Sequence, residues 1–218
     1  MQKEITRKME QNKQKKWRHE KKFQISLADY LALSQKLKLI MKPDAHTGPD
    51  GRYRITSTYF DNIYDKALNE KRYGVSEREK FRIRYYNDDK SLINLEKKEK
   101  RNGLCSKSKG RLSEEEVDRI LSGDWQFLKE HPDPVCRELG IKMETQLLRS
   151  KSTVSYIREP YIYEPGNVRV TFDFLEAGPV ICEVKYDEFL PTVLSAVLSE
   201  HLLRLQAFSK YQHSRTAY

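Results

Sequence analysis

The chain predicts an α+β fold, an antiparallel β-barrel that carries helices on its outside and charge on its inside. Three observations lead there. Segment after segment alternates apolar and charged residues with period two, which gives each strand one apolar and one charged face. The helical stretches between those strands need an apolar surface to pack on, and the apolar strand faces supply it. The charged faces are dense in Arg as well as Glu and Lys. The ordinary alternative is an antiparallel sheet with its charged side in water. A barrel with an inward charged face satisfies both the Arg density and the helices, at the cost of a crowded interior. Such an interior is stable when paired carboxylates or a bound anion fill it.

Composition bounds the partners. With 218 residues the chain fits one domain with a real core. Residues 1–17 read as a basic N-terminal tail or helix, and 18–218 as the barrel domain. Hydrophobic residues make up 38% and charged residues 33%, with a net charge of +9, so an anionic partner is expected. Nucleic acid, an acidic membrane and a polyanionic small molecule all meet that description. Cys105, Cys136 and Cys182 are far apart and lack the His spacing of a zinc site, which reads as reduced thiols. No segment approaches the ~20 apolar residues of a membrane span, and the start lacks a signal-peptide core. A soluble, cytoplasmic protein is expected.

The elements follow in order. Residues 18–25 form a strand, with Glu20 and Lys22 opposite Phe23. Ser26 caps a helix bearing Leu27, Tyr30, Leu31, Leu37 and Ile40 at helical spacing. Residues 43–51, rich in Pro, Asp and Gly, form a loop. A strand over 53–60 leads to a short helix over 63–73 that Gly74 ends. Strands over 79–87 and 91–99 are joined by a hairpin at Asp88-Asp89-Lys90. In the first, Arg82 and Arg84 oppose Phe81, Ile83 and Tyr85; in the second, Glu96 and Lys98 oppose Leu95. Ser113 and Glu116 make a capping box for a helix through Leu121, and helical pieces broken by Pro132 and Pro134 reach about Leu148. Strands over 151–159, 167–174 and 180–186 come next, then a helix from Pro191 to Leu203 and a C-terminal segment. In the last two strands Arg169, Thr171 and Asp173 oppose Val168, Val170 and Phe172, and Glu183 and Lys185 oppose Cys182 and Val184.

Seven short motifs in order resemble one family. They are R-H-E-K-K-F (18–23), S-T-Y-F-D (57–61), F-R-I-R-Y-Y (81–86), L-E-K-K (95–98), V-R-V-T-F-D (168–173), E-V-K-Y (183–186) and F-S-K-Y (208–211). Together they are similar to the VTC domain, the catalytic part of the vacuolar transporter chaperone polyphosphate polymerase, within the triphosphate tunnel metalloenzymes. The resemblance implies an eight-stranded tunnel that binds ATP, triphosphate, pyrophosphate or polyphosphate and holds a divalent metal, Mn²⁺ or Mg²⁺. It further implies a phosphotransferase that moves the γ-phosphoryl of ATP onto a phosphate chain.

Carried over by position, Lys22, Arg82, Arg84 and Lys98 would cradle phosphates from one half of the tunnel. Arg158 and Arg169 would do so from the other, with Lys210 near a mouth. Glu183 falls where the family places its metal-binding carboxylate, and Glu20 and Glu96 are further lumen carboxylates. Lys107, Lys109 and Arg111 would guide a product chain from a basic loop. These residue types suit the chemistry, because phosphoryl transfer needs positioning and charge neutralisation, and Arg forks match phosphate oxygens.

The wider superfamily often opens with E-x-E-x-K, whereas this chain has Arg18, Glu20 and Lys22. That departure favours the VTC branch over a simple triphosphatase. A tunnel hydrolase of triphosphate or nucleoside triphosphates is the runner-up, followed by a binding module without turnover. A nucleic-acid binder would carry its cations on an open face, so none is expected.

Overall fold

The computed structural model describes residues 16–176, 178–199 and 208–216. The expected N-terminal tail or helix over 1–17 therefore lies almost wholly outside the described residues. Eight strands run β1 (His19–Ile25), β3 (Tyr53–Asp61), β4 (Arg78–Tyr86), β5 (Asp89–Arg101), β6 (Leu104–Leu112), β7 (Arg149–Tyr163), β8 (Val168–Leu175) and β9 (Val180–Tyr186). They lie in the order β1-β9-β8-β7-β3-β4-β5-β6, each pair antiparallel. A two-residue strand, β2 (Lys42–Pro43), adds to β7 within the expected loop. The sheet curls into a half-barrel whose edges meet where Arg18 and Cys105 exchange backbone hydrogen bonds of 2.9 Å.

The period-two reading holds. Phe23, Ile25, Val168, Val170, Phe172, Cys182 and Val184 point outward into one core beneath α1 (Leu27–Ile40) and α5 (Thr192–Ser199). Phe60, Phe81, Ile83, Ile93, Leu95 and Leu112 point outward into a second core beneath α3 (Glu114–Ser122) and α4 (Pro134–Thr145). On the concave side, Tyr53, Ile55, Tyr59, Val154 and Tyr156 pack with Leu68 of α2 (Lys66–Arg72) and Tyr211 of α6 (Lys210–Thr216). The C-terminal helix thus enters the half-barrel.

Local chemistry sets the boundaries. Ser26 with Asp29 and Ser113 with Glu116 form reciprocal capping boxes, which satisfy orphan N–H groups at both helix starts. Gly110 has no room for a side chain: an added Cβ would sit 2.6 Å from Asp133 Oδ1 and 2.8 Å from Cys136 Sγ. That absence lets the start of α4 rest on β6.

Several expectations need correction. In α1 the buried stripe is Tyr30, Leu33 and Leu37, while Leu27 and Leu31 are exposed, because α1 touches the sheet along a narrow seam. The first hairpin turns one residue early, at Asn87 and Asp88, both at positive φ as a two-residue turn requires. The basic segment 104–112 is a strand, not a loop. Asn102 and Gly103, at φ of 46° and 84°, turn β5 straight back into it. This hairpin completes the eight strands. Of the helix expected over 191–203, α5 covers Thr192–Ser199 and the remainder lies outside the described residues. Among the described residues no helix is long and apolar enough to cross a membrane.

Candidate functional site

The concave face gathers charge by register. Arg82 sits directly opposite Glu96, Lys22 opposite Glu183, Glu20 opposite Lys185, and Arg158 opposite Asp173. Other register pairs set like charges against each other: Lys80 with Lys98, Lys98 with Lys107, and Arg169 with Lys185. Like charges facing across a ladder are destabilising unless something neutralises them. Carboxylates do so for every cation of these three pairs except Lys80.

Glu96, fully buried, is the first neutralising centre. Its Oε2 accepts from Arg82 Nε at 2.8 Å and Nη2 at 2.6 Å, its Oε1 accepts from Lys107 Nζ at 3.0 Å, and Arg84 Nη1 lies 3.7 Å away. Burial opposes its charge, yet Arg82, Arg84 and Lys107 hold it well below the usual carboxylate range. Arg84 is steered by Ser57 Oγ (3.0 Å) and Tyr156 OH (3.2 Å), and Arg82 by Tyr59 OH at 3.4 Å. These tyrosines pack, as strand tyrosines usually do, but their hydroxyls also aim guanidinium groups.

A second centre joins Glu20 and Glu183. Lys22 lies 3.2 Å from Glu20 and 3.3 Å from Glu183, Lys98 lies 2.6 Å from Glu20, and Lys185 lies 2.7 Å from Glu183. Burial works against Lys22, but the two carboxylates raise it above the ordinary lysine range. Burial likewise works against Glu183, which Lys185, Lys22 and Arg158 lower well below its ordinary value. In the third centre, Asp173 accepts from Arg158 at 2.6 and 2.7 Å in a paired fork, and also from Lys210 at the start of α6.

Lys80 is the exception. It points between Arg82 and Lys98, and its hydrogen bond runs to Ser209 Oγ at 3.4 Å. Burial, then Lys98, Lys22 and Arg82, push it well below the ordinary lysine range. An anion among these groups would relieve that cost. Around Lys22, Lys80, Arg82, Lys98, Arg158 and Lys210 about 40 Å³ of open lumen remains. A cavity of about 320 Å³ opens beside it, where β4 begins and β5 ends, sharing Lys22, Lys80 and Lys98.

The structure brings Lys22, Arg82, Arg84, Lys98, Arg158, Lys210, Glu20, Glu96 and Glu183 into one lumen. Arg169 stands apart toward the start of β3, held by Asp44 at 2.7 Å and Tyr53 OH at 2.7 Å. Lys107 belongs to the Glu96 centre, while Lys109 and Arg111 are exposed further along β6 on the same face. Sequence reasoning missed Lys80, although it shares parity with Arg82 and Arg84, and left Lys185 out of the site, although it shares parity with Glu183. Arg18 turns away to Asp187 at 2.8 Å, so the cation that departs from E-x-E-x-K holds a loop.

The donor set bears on a divalent metal. Among the described residues no group of three or more His, Cys, Asp or Glu side chains is placed to hold one. A cage made wholly by the described side chains is therefore not available. Mg²⁺ and Mn²⁺ also bind through one or two carboxylates completed by phosphate oxygens and water. Glu183 suits that second kind of site, because Thr171 lies directly opposite on β8 and its buried Oγ1 lacks a partner among the described residues.

Comparison with known proteins agrees with this geometry. The family model for the VTC domain matches residues 17–176. A crystal structure of a candidate adenylate cyclase from Bacillus halodurans aligns with a TM-score of 0.60 at 15% identity, covering 94% of this chain and 99% of that one. A candidate adenylyl cyclase from Hippeastrum, described as having a dominant triphosphatase activity, aligns with a TM-score of 0.62 at 14% identity, covering 92% and 96%. A candidate adenylate cyclase from Vibrio parahaemolyticus gives 0.55 at 13% identity, covering 91% and 98%. At such identities these likenesses establish the fold. No curated protein matches the sequence. A half-barrel lined by paired Arg, Lys and Glu, together with a family match spanning most of the chain, makes this protein a member of the VTC domain family, with a triphosphate-tunnel fold.

Proposed function

We propose that the lumen binds the triphosphate of ATP and transfers its γ-phosphoryl group to a phosphate chain, with Mg²⁺ or Mn²⁺. The observation that carries this reading is the unneutralised cation Lys80, set among Arg82, Lys98 and Lys22 after the lumen carboxylates have been taken up by other cations. Arg82, Arg84 and Arg158 would grip phosphate oxygens in paired hydrogen bonds, and Lys22, Lys80, Lys98 and Lys210 would supply point charges. Charge spread over phosphoryl oxygens in the transition state is what such a preorganised cluster stabilises. Held at Glu183, the metal would neutralise phosphate oxygens and orient the leaving group.

The test is incubation with γ-labelled ATP and Mn²⁺, resolving products by gel, beside an Arg84→Ala, Lys98→Ala double variant and Glu183→Ala. A labelled ladder lost in the variants is the expected result. Label released only as orthophosphate would replace the polymerase with a tunnel hydrolase. Binding of triphosphate without turnover would leave a sensor.

A further inference from the structure

We propose that the free edge of β6 is a strand-addition site for an extended acidic segment of a partner protein, one with carboxylates at alternate positions. Among the described residues the seam of the half-barrel is closed at one point only, where Arg18 and Cys105 exchange backbone hydrogen bonds of 2.9 Å. Backbone groups alternate between the two sides of an antiparallel strand. Lys107, Lys109 and Arg111 therefore direct theirs to the same side as Cys105, and Ser106, Ser108 and Gly110 direct theirs to β5. Among the described residues nothing meets the N–H groups of Lys107, Lys109 and Arg111. The Arg111 carbonyl has only a weak donor, Cys136 Sγ at 3.7 Å. All three side chains are exposed, while α4 rests on the outward face of β6 at Gly110. An unpaired edge of this kind is a template for a further strand.

The side chains beside the edge select the partner. Lys107 is held by Glu96 at 3.0 Å, whereas Lys109 and Arg111 have no ion-pair partner among the described residues. On an added antiparallel strand, the residues opposite Lys107, Lys109 and Arg111 place their side chains on the same face as these cations. Carboxylates there are stabilising, and further cations are not. A second copy of this chain, pairing through its own β6, would bring Lys and Arg against Lys and Arg. The start of the chain is no better matched. Carried backward from Arg18 opposite Cys105, the register offers Lys16, Gln14 and Asn12 to Lys107, Lys109 and Arg111, with no carboxylate among them. Lys16 is moreover engaged by Asp187 at 2.7 Å. A partner strand with alternating Glu or Asp satisfies both the backbone edge and the cations, and backbone pairing sets it apart from a polyanion that meets side chains alone.

The experiment is fluorescence anisotropy at about 0.15 M salt, with the full chain and a labelled peptide of about seven residues that alternates Glu with Thr. A second peptide has the same charges but is N-methylated at each Glu, which removes the donors of the added strand and blocks its approach. Lys109→Pro lacks the edge N–H at a place where an edge strand tolerates proline, and Lys109→Gln keeps that N–H but lacks the charge. Wild type is expected to bind the first peptide at least about tenfold more tightly than the methylated one, and Lys109→Pro should lose that difference. Lys109→Gln should bind the first peptide about threefold or more weakly while keeping the difference. Equal binding of both peptides by wild type would overturn the proposal, reducing the edge to a basic surface that takes any polyanion. Unchanged affinity in the two Lys109 variants would overturn it too. No binding at millimolar peptide would overturn it by leaving the edge to the chain's own N-terminal residues. A wild-type dimer that Lys109→Pro breaks would overturn it in favour of a second copy.

Discussion

Replacing Glu96 by Gln tests whether this carboxylate is the counter-charge that holds the cationic lumen together. The carboxylate is fully buried and holds Arg82, Arg84 and Lys107 within 4 Å. Gln keeps the shape and one acceptor oxygen but removes the charge, leaving three cations facing one another. Removing one partner of a buried ion pair costs about 3–5 kcal/mol, mostly as the penalty of the charge left behind. For a chain of this size each kcal/mol lowers Tm by about 2–4 °C, so a drop of about 6–20 °C is expected. An added anion should act oppositely on the two proteins' difference. Triphosphate stabilises whichever state binds it, and the variant's lumen has one more uncompensated positive charge. The assay is thermal unfolding of both proteins with and without millimolar triphosphate. A shift larger in Glu96→Gln than in wild type, closing part of the gap, is the expected result. A variant that melts within about 2 °C of wild type, or whose gap widens with triphosphate, would show that Glu96 is not a counter-charge for the lumen.

Three further outcomes follow from other groups. Lys80 is held well below its ordinary value in the free protein, so an anion bound beside it must raise it, and binding must take up protons. Triphosphate affinity should therefore fall as pH rises toward the ordinary lysine range, and titration in buffers of different ionisation enthalpy should show net proton uptake. Glu183→Gln should cut Mn²⁺-dependent turnover by about 100-fold or more while leaving metal-free triphosphate binding intact; a parallel loss of metal-free binding would reduce Glu183 to its counterion role toward Lys22 and Lys185, with no part in holding a metal. Tyr211→Phe removes the 2.8 Å hydrogen bond to buried Asp61 that seats α6, and should lower Tm by about 3–12 °C in a melting curve, given about 1.5–3 kcal/mol for a bond to a charged group.

The strand faces were legible because their period is two and their chemistry is extreme: Phe172 beside Asp173, or Cys182 beside Glu183, leaves little choice of side. Parity also implied Lys80 once Arg82 was placed. What hid β6 was composition. The run from Cys105 to Arg111 alternates Ser or Gly with Lys or Arg, and so presents no apolar face to read. Its outward positions are small because α4 lies directly on them, as the crowding at Gly110 shows. Asn102-Gly103 was the available signal, since only a tight turn with two positive φ values rewards that pair. The C-terminal contribution was visible as a motif but not as geometry. Lys210 reaches Asp173, and Tyr211 reaches Asp61, across long stretches of chain that no periodicity links.

The lumen carboxylates settle how such a site can exist in the free protein. An interior of Arg and Lys alone would not fold, because each buried like charge costs several kcal/mol. Placing Glu20, Glu96, Asp173 and Glu183 among them lowers that cost, and each carboxylate meets at least two cations instead of one. Such sharing leaves each cation only partly neutralised, with N–H groups still directed into the lumen. A phosphate chain can then bind by adding acceptors to cations already held in place, without first breaking every ion pair. Specificity for a linear polyanion follows from the same arrangement. The cations are spaced along the strands rather than gathered at one point, so a single small anion satisfies few of them, and a chain of phosphates satisfies them in succession.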